Sequence, residues 1–116
     1  MRTLLLTIGL TLAFAATSAA AVDRPRYDVP RGFTKCPRVV AWNGFFKWAS
    51  VRHATCRRAQ RFLRAYAHAA EAGPMPRRVR GFTCTIRYWR DAEGDVYASR
   101  HRCARDGAVI RFYGMV

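Results

Sequence analysis

The sequence predicts an α+β domain: one amphipathic helix packed on an antiparallel sheet of three to five strands, in the order β-α-β-β-β and stapled by two disulfides. Three observations carry this. One stretch of apolar residues repeats at helical spacing, two alternating runs are separated by tight-turn dipeptides, and four cysteines are spread over a short chain.

The first 21 residues have the grammar of a secretory signal. Met1 and Arg2 form a positive start, Leu4 to Ala15 an apolar core, and Ala16 to Ala21 a run of small side chains with Ala19-x-Ala21 as the cleavage motif. The apolar stretch falls short of the ~20 residues a membrane span needs. Export is therefore expected, to the extracellular space or the cell envelope. Residues 22–37, with Pro25, Pro30, Gly32 and Pro37, read as an extended arm, and 38–116 as a single domain.

Within that domain, Asn43-Gly44 amid Val39, Val40, Trp42, Phe45, Phe46 and Trp48 predicts a hairpin with strands near 39–42 and 45–50. The aromatic stripe is assigned to the core. Thr55 is placed to cap a helix from Cys56 to about Ala72. Cys56, Ala59, Phe62, Leu63, Tyr66, Ala67 and Ala70 lie on one face of it, and Gly73-Pro74 ends it. Gly81 to Arg90 alternates, Glu93-Gly94 and Asp106-Gly107 mark turns, and strands are expected over 95–103 and 108–113. Centring those turns sets Cys84 opposite Cys103 and Cys103 opposite Ile110. Phe82, Cys84, Ile86, Tyr88, Ser99, His101, Cys103, Ile110 and Phe112 then share the face under the helix. Arg87, Trp89, Arg100, Arg102 and Arg111 share the other.

The cysteines Cys36, Cys56, Cys84 and Cys103 contain no C-x-x-C and no Cys/His pair at ligand spacing, so two disulfides are expected, with no metal and no cofactor. Three connectivities are open. Because both strand cysteines face the helix, Cys56–Cys103 with Cys36–Cys84 is favoured over the direct Cys84–Cys103 link with Cys36–Cys56.

Charge is the strongest functional signal. The chain carries 21 basic and 7 acidic side chains, 19 of the basic ones arginine, for a formal net charge of +14. Arginine beside abundant alanine is also what GC-rich coding produces. Such a field nevertheless attracts polyanions and anionic envelope surfaces. Arg87, Arg100, Arg102 and Arg111 with the ring of Trp89 make a candidate polyanion platform, and Arg57, Arg61 and Arg64 on the helix a second stripe. Two other classes follow. A secreted protein-binding module or protease inhibitor would use the loop Ala72 to Arg78. A small cationic nuclease would need His53, His68 or His101 as a proton carrier, and nothing in the pattern places two of them together. A non-enzymatic monomer is the expectation.

Thr55-Cys56-x-x-Ala59 opening the helix, Gly81-Phe82-x-Cys84 opening a strand, and Arg102-Cys103 ahead of Asp106-Gly107 and Ile110-x-Phe112 together resemble a group of small secreted actinobacterial proteins. The resemblance covers Phe46 to Phe112. It implies an α+β domain with disulfides outside the cell and carries over no catalytic residues. Cys36 and the proline-rich arm fall outside the shared pattern.

Overall fold

The computed structural model describes residues 3–5, 7–13 and 23–116. The expected cleavage motif, Ala19 to Ala21, lies outside the described residues, and 3–5 and 7–13 form neither helix nor strand. No helix among the described residues is long and apolar enough to cross a membrane.

Seven elements follow one another: β1 (Thr34–Cys36), β2 (Phe46–Arg52), α1 (Cys56–Glu71), β3 (Arg78–Val79), β4 (Phe82–Arg90), β5 (Val96–Arg105) and β6 (Ala108–Met115). The strands make one antiparallel sheet in the order β1-β2-β6-β5-β4-β3. The expectation of an α+β layer with three to five strands is thereby corrected. The molecule is mostly β, a six-stranded sheet carrying one 16-residue helix.

The extra strands come from segments read as arm and loop. Thr34–Cys36 pairs with Val51 to Ala49 on the open edge of β2, and Arg78–Val79 pairs with Thr83 and Phe82 on the open edge of β4. Each short strand supplies partners for backbone groups that an edge would otherwise leave to water. The expected strand at 39–42 shrinks to one bridge, Ala41 to Phe46. Its reason is local: Trp42 and Asn43 join Gly44 at positive φ (54°, 53° and 81°), so the reversal takes in Trp42 and is wider than two residues.

Elsewhere the local signals hold, except that Tyr88, expected under the helix, is exposed. The Thr55 hydroxyl accepts from the Arg58 amide at 3.0 Å, and the buried helix face is Ala59, Phe62, Leu63, Tyr66, Ala67 and Ala70. Cys84 sits opposite Cys103, and Cys103 opposite Ile110. Asp106 and Gly107 adopt φ of 49° and 83°, the twist a two-residue hairpin needs.

The disulfides correct the favoured pairing. Cys36 is joined to Cys56, and Cys84 to Cys103. Cys84 and Cys103 are direct cross-strand neighbours with Cα atoms 4.0 Å apart, too close for either to reach the helix in preference to the other. Once β1 lines up on β2, Cys36 lies 5.5 Å (Cα to Cα) from the first residue of α1. The bond therefore ties the sheet edge to the helix start.

The core lies between α1 and one sheet face. Phe46, Tyr66 and Phe112 pack their rings nearly perpendicular to one another around His101, with Phe62 and Phe82 extending the cluster. His101 is fully buried. Its Nδ1 lies 2.7 Å from the Tyr66 hydroxyl and its Nε2 2.7 Å from Ser99 Oγ, while its ring stacks on Phe112. Gly114 makes room for this arrangement, since a Cβ there would stand 2.7 Å from Ser99 Oγ and 2.8 Å from Phe45.

Candidate anion-binding face

The opposite face of the sheet is built by the same alternation. Thr85, Arg87 and Trp89 of β4, Ala98, Arg100 and Arg102 of β5, and Arg111 and Tyr113 of β6 point away from the helix. Register sets Arg87 directly opposite Arg100, and Arg102 directly opposite Arg111. Like charges so placed lower stability, typically by a few tenths to ~1 kcal/mol per pair. The sheet holds two such pairs side by side.

The face is not open platform, because residues 23–33 run across it. Tyr27 stacks on Trp48 (centroids 5.6 Å, planes 6° apart), Tyr97 donates to the Asp23 carbonyl at 3.1 Å, Asp23 pairs with Arg87, and Arg111 donates to the Asp28 carbonyl. A small second core of Trp89, Ala98 and Tyr113, flanked by Trp48, Tyr97 and Met115, anchors this cover. Two hollows remain between arm and sheet. One, of about 450 Å3, is bordered by Pro30, Phe33 and the four arginines of the opposed pairs. The other, of about 420 Å3, is bordered by Arg24, Arg26, Arg87, Trp89 and Arg100 together with Asp23 and Asp28. Arg87 and Arg100 belong to both.

The arm divides the five expected platform residues. Arg87 and Arg102 are exposed and Arg100 half-buried, so their guanidiniums can meet a ligand. Arg111 is buried, donating to Tyr113 Oη as well as to Asp28. Burial pulls its pKa below the ordinary value, and the guanidiniums of Arg100 and Arg102 push the same way. Its contacts make it the post that holds the arm down. Trp89 is buried too, with the Arg87 guanidinium 4.5 Å and that of Arg100 5.9 Å from its ring centre. Trp89 is 6% exposed, which leaves little of its ring open for the stacking expected of it.

Other cations share this face: Lys35 over Tyr27, Arg52 over Phe33, Lys47 beside Trp48, and Arg24 and Arg26 on the arm. Sequence alternation missed those on β2 because the strand shifts register between Lys47 and Ser50, where Trp48 adopts φ of 56°. Nothing in the sequence marks the arm as lying over β4–β6.

Arg57, Arg61 and Arg64 are exposed on the solvent side of α1. Helix and sheet together separate them from Arg87, Arg100 and Arg102, so the eight expected contact residues form two groups on opposite sides of the molecule. His53 and His68 are exposed, whereas both ring nitrogens of His101 are occupied in the core. Burial lowers the His101 pKa to about 4, which keeps the ring neutral near pH 7. In the loop 72–78, Met75 packs on the core and the Arg77 carbonyl accepts from the Cys84 amide at 2.8 Å.

No protein-family model, no curated protein and no solved structure matches the chain.

Proposed function

We propose that this is a secreted, non-enzymatic protein, freed from residues 1–21, that binds linear polyanions through the arginine face between arm and sheet. The observation that carries the reading is the pair of directly opposed arginine couples, Arg87/Arg100 and Arg102/Arg111, bordering one hollow. Such an arrangement weakens the free protein and is relieved when an oxyanion sits beside the guanidiniums, of which those of Arg87, Arg100 and Arg102 can fork onto two oxygens. The acidic side chains near it, Asp23 and Asp28, both belong to the arm.

Recognition is of backbone charge and not of bases, because the aromatic rings of this face are packed against one another or under arginine. Phosphate- or sulfate-bearing chains of an envelope polymer fit this surface as well as nucleic acid does. The export expected from residues 1–21 agrees with an extracellular or envelope polymer as the ligand.

The test is a salt series on the oxidised protein with heparin, a polyphosphate chain and single-stranded DNA. Affinity should fall linearly in log–log coordinates and differ little between ligands of equal charge density. Replacing Arg87, Arg100 and Arg102 with Gln should reduce the slope by about 2, at ~0.7 per phosphate contact. Replacing Arg57, Arg61 and Arg64 should leave a much larger share of the binding. Equal losses from the two triple variants would mean that charge acts non-specifically and would sink the outer-face assignment.

A further inference from the structure

The second hollow is bordered by Trp89, a residue whose buried indole N–H has nothing to donate to among the described residues. Trp89 is 6% exposed, and its indole Nε1 is buried with no hydrogen-bond partner among the described residues. A buried N–H left unpaired is costly, so one in a native structure calls for an explanation. A tilted contact with Tyr113, with centroids 6.3 Å apart, and the guanidiniums over the ring account for the ring but not for the N–H.

Its surroundings supply the explanation. Trp89 borders the 420 Å3 hollow with Arg24, Arg26, Arg87 and Arg100, against the carboxylates of Asp23 and Asp28. Asp23 is engaged by Arg87. Four guanidiniums and one neutral donor thus face two carboxylates, leaving an excess of positive charge and of N–H groups. A compact group with three or four oxygens matches that set, two oxygens for a guanidinium fork and one for the indole. A flat carboxylate would leave part of it unused.

We propose that this hollow is an oxyanion subsite in which the Trp89 indole N–H donates to a phosphoryl or sulfuryl oxygen clamped by Arg87 and Arg100. Asp23 is the group the ligand displaces. The inference rests on the reading of this face as anion-binding and adds to it one defined group of the polymer, seated at one place. Entry requires Arg87 to leave Asp23 and the two guanidiniums to lift from the ring, which uncovers the indole.

The test is NMR of the uniformly 15N-labelled, oxidised full chain titrated separately with inorganic phosphate and inorganic sulfate. Loss of one indole signal in Trp89→Phe assigns the resonance. That signal, and not those of Trp42 and Trp48, should shift saturably with one or both anions. A response to phosphate alone identifies a phosphoryl group, and a response to both a general tetrahedral oxyanion. Trp89→Phe retains an aromatic side chain without the N–H and should weaken binding of the small anion roughly three- to tenfold. Asp23→Asn should strengthen it, since a competitor is removed.

An unmoved Trp89 indole, while the Arg87 and Arg100 side-chain signals shift and Trp89→Phe binds as well as the parent, would overturn the subsite. The polyanion face would still stand, because the salt slope measures it independently. If heparin and polyphosphate also left those arginine signals unmoved, both readings would fall.

Discussion

The two faces of the β4–β5–β6 sheet are covered by unlike material. The inner face meets α1, whose buried side is Ala, Phe, Leu and Tyr, and its single polar cluster, Tyr66–His101–Ser99, is hydrogen-bonded within itself. The outer face meets an arm of irregular chain held by one stacked tyrosine, an ion pair and hydrogen bonds from arginine and tyrosine. It keeps opposed arginines and an unpartnered indole N–H. A face built for stability satisfies its polar groups and fills its space. A face that retains opposed charges and an unused donor is the one on which the proposed anion would be seated.

The contrast breaks most visibly if Phe112 is cut to alanine. Its ring touches Phe46, Phe62, Tyr66 and His101. The loss should be about 3–5 kcal/mol in denaturant unfolding, with no comparable effect from any outer-face arginine.

Next in size is the pH response of the inner face. His101 has a folded pKa of about 4 against an ordinary 6.5, so between those values the unfolded state binds the proton that the folded state refuses. Stability is full above pH 6.5 and falls as pH drops towards 4, by about 3 kcal/mol in total. In His101→Phe this part of the slope should vanish, measured as unfolding free energy against pH. A slope that survived would show that His101 is not the buried titrating group.

The disulfides sharpen the comparison through their positions. Each closes a loop of about 20 residues, worth ~3 kcal/mol on chain-entropy grounds. Peptide mapping without reduction should yield Cys36–Cys56 and Cys84–Cys103. Replacing Cys36 and Cys56 by Ser should loosen β1 and the helix start, and hydrogen exchange should rise there before it rises in β5 and β6.

The smallest expected effect has the opposite sign. Arg102→Gln relieves the couple with Arg111 and should leave stability unchanged or raise it by a few tenths to ~1 kcal/mol. Moderate salt should narrow the gap between this variant and the parent. Clear destabilisation by Arg102→Gln would mean that the outer face is structural, and would erase the distinction between the two faces.

Much of this contrast was legible along the chain, in those parts where neighbours in sequence are neighbours in space. Helical spacing marked the buried side of α1 down to Ala70, and two turn dipeptides fixed which residues of β4, β5 and β6 face each other. The same pairing places Arg87, Arg100, Arg102 and Arg111 on one surface. The same reasoning failed at Trp42, whose positive φ carries the reversal past the Asn-Gly pair. It failed again at Trp48, where a bulge shifts the alternation of β2.

The features legible in the chain alone are local: the helix face, the hairpin register, the strong positive charge and the even set of cysteines. Each follows from backbone periodicity or simple counting. Tertiary structure alone decided that β6 lies between β2 and β5, that Cys36 reaches Cys56, and that the arm covers Trp89 and Arg111 while leaving Arg87 and Arg102 exposed. Those outcomes join segments 20 to more than 80 residues apart. They depend on which surfaces bury one another best, and neither periodicity nor turn chemistry carries that information.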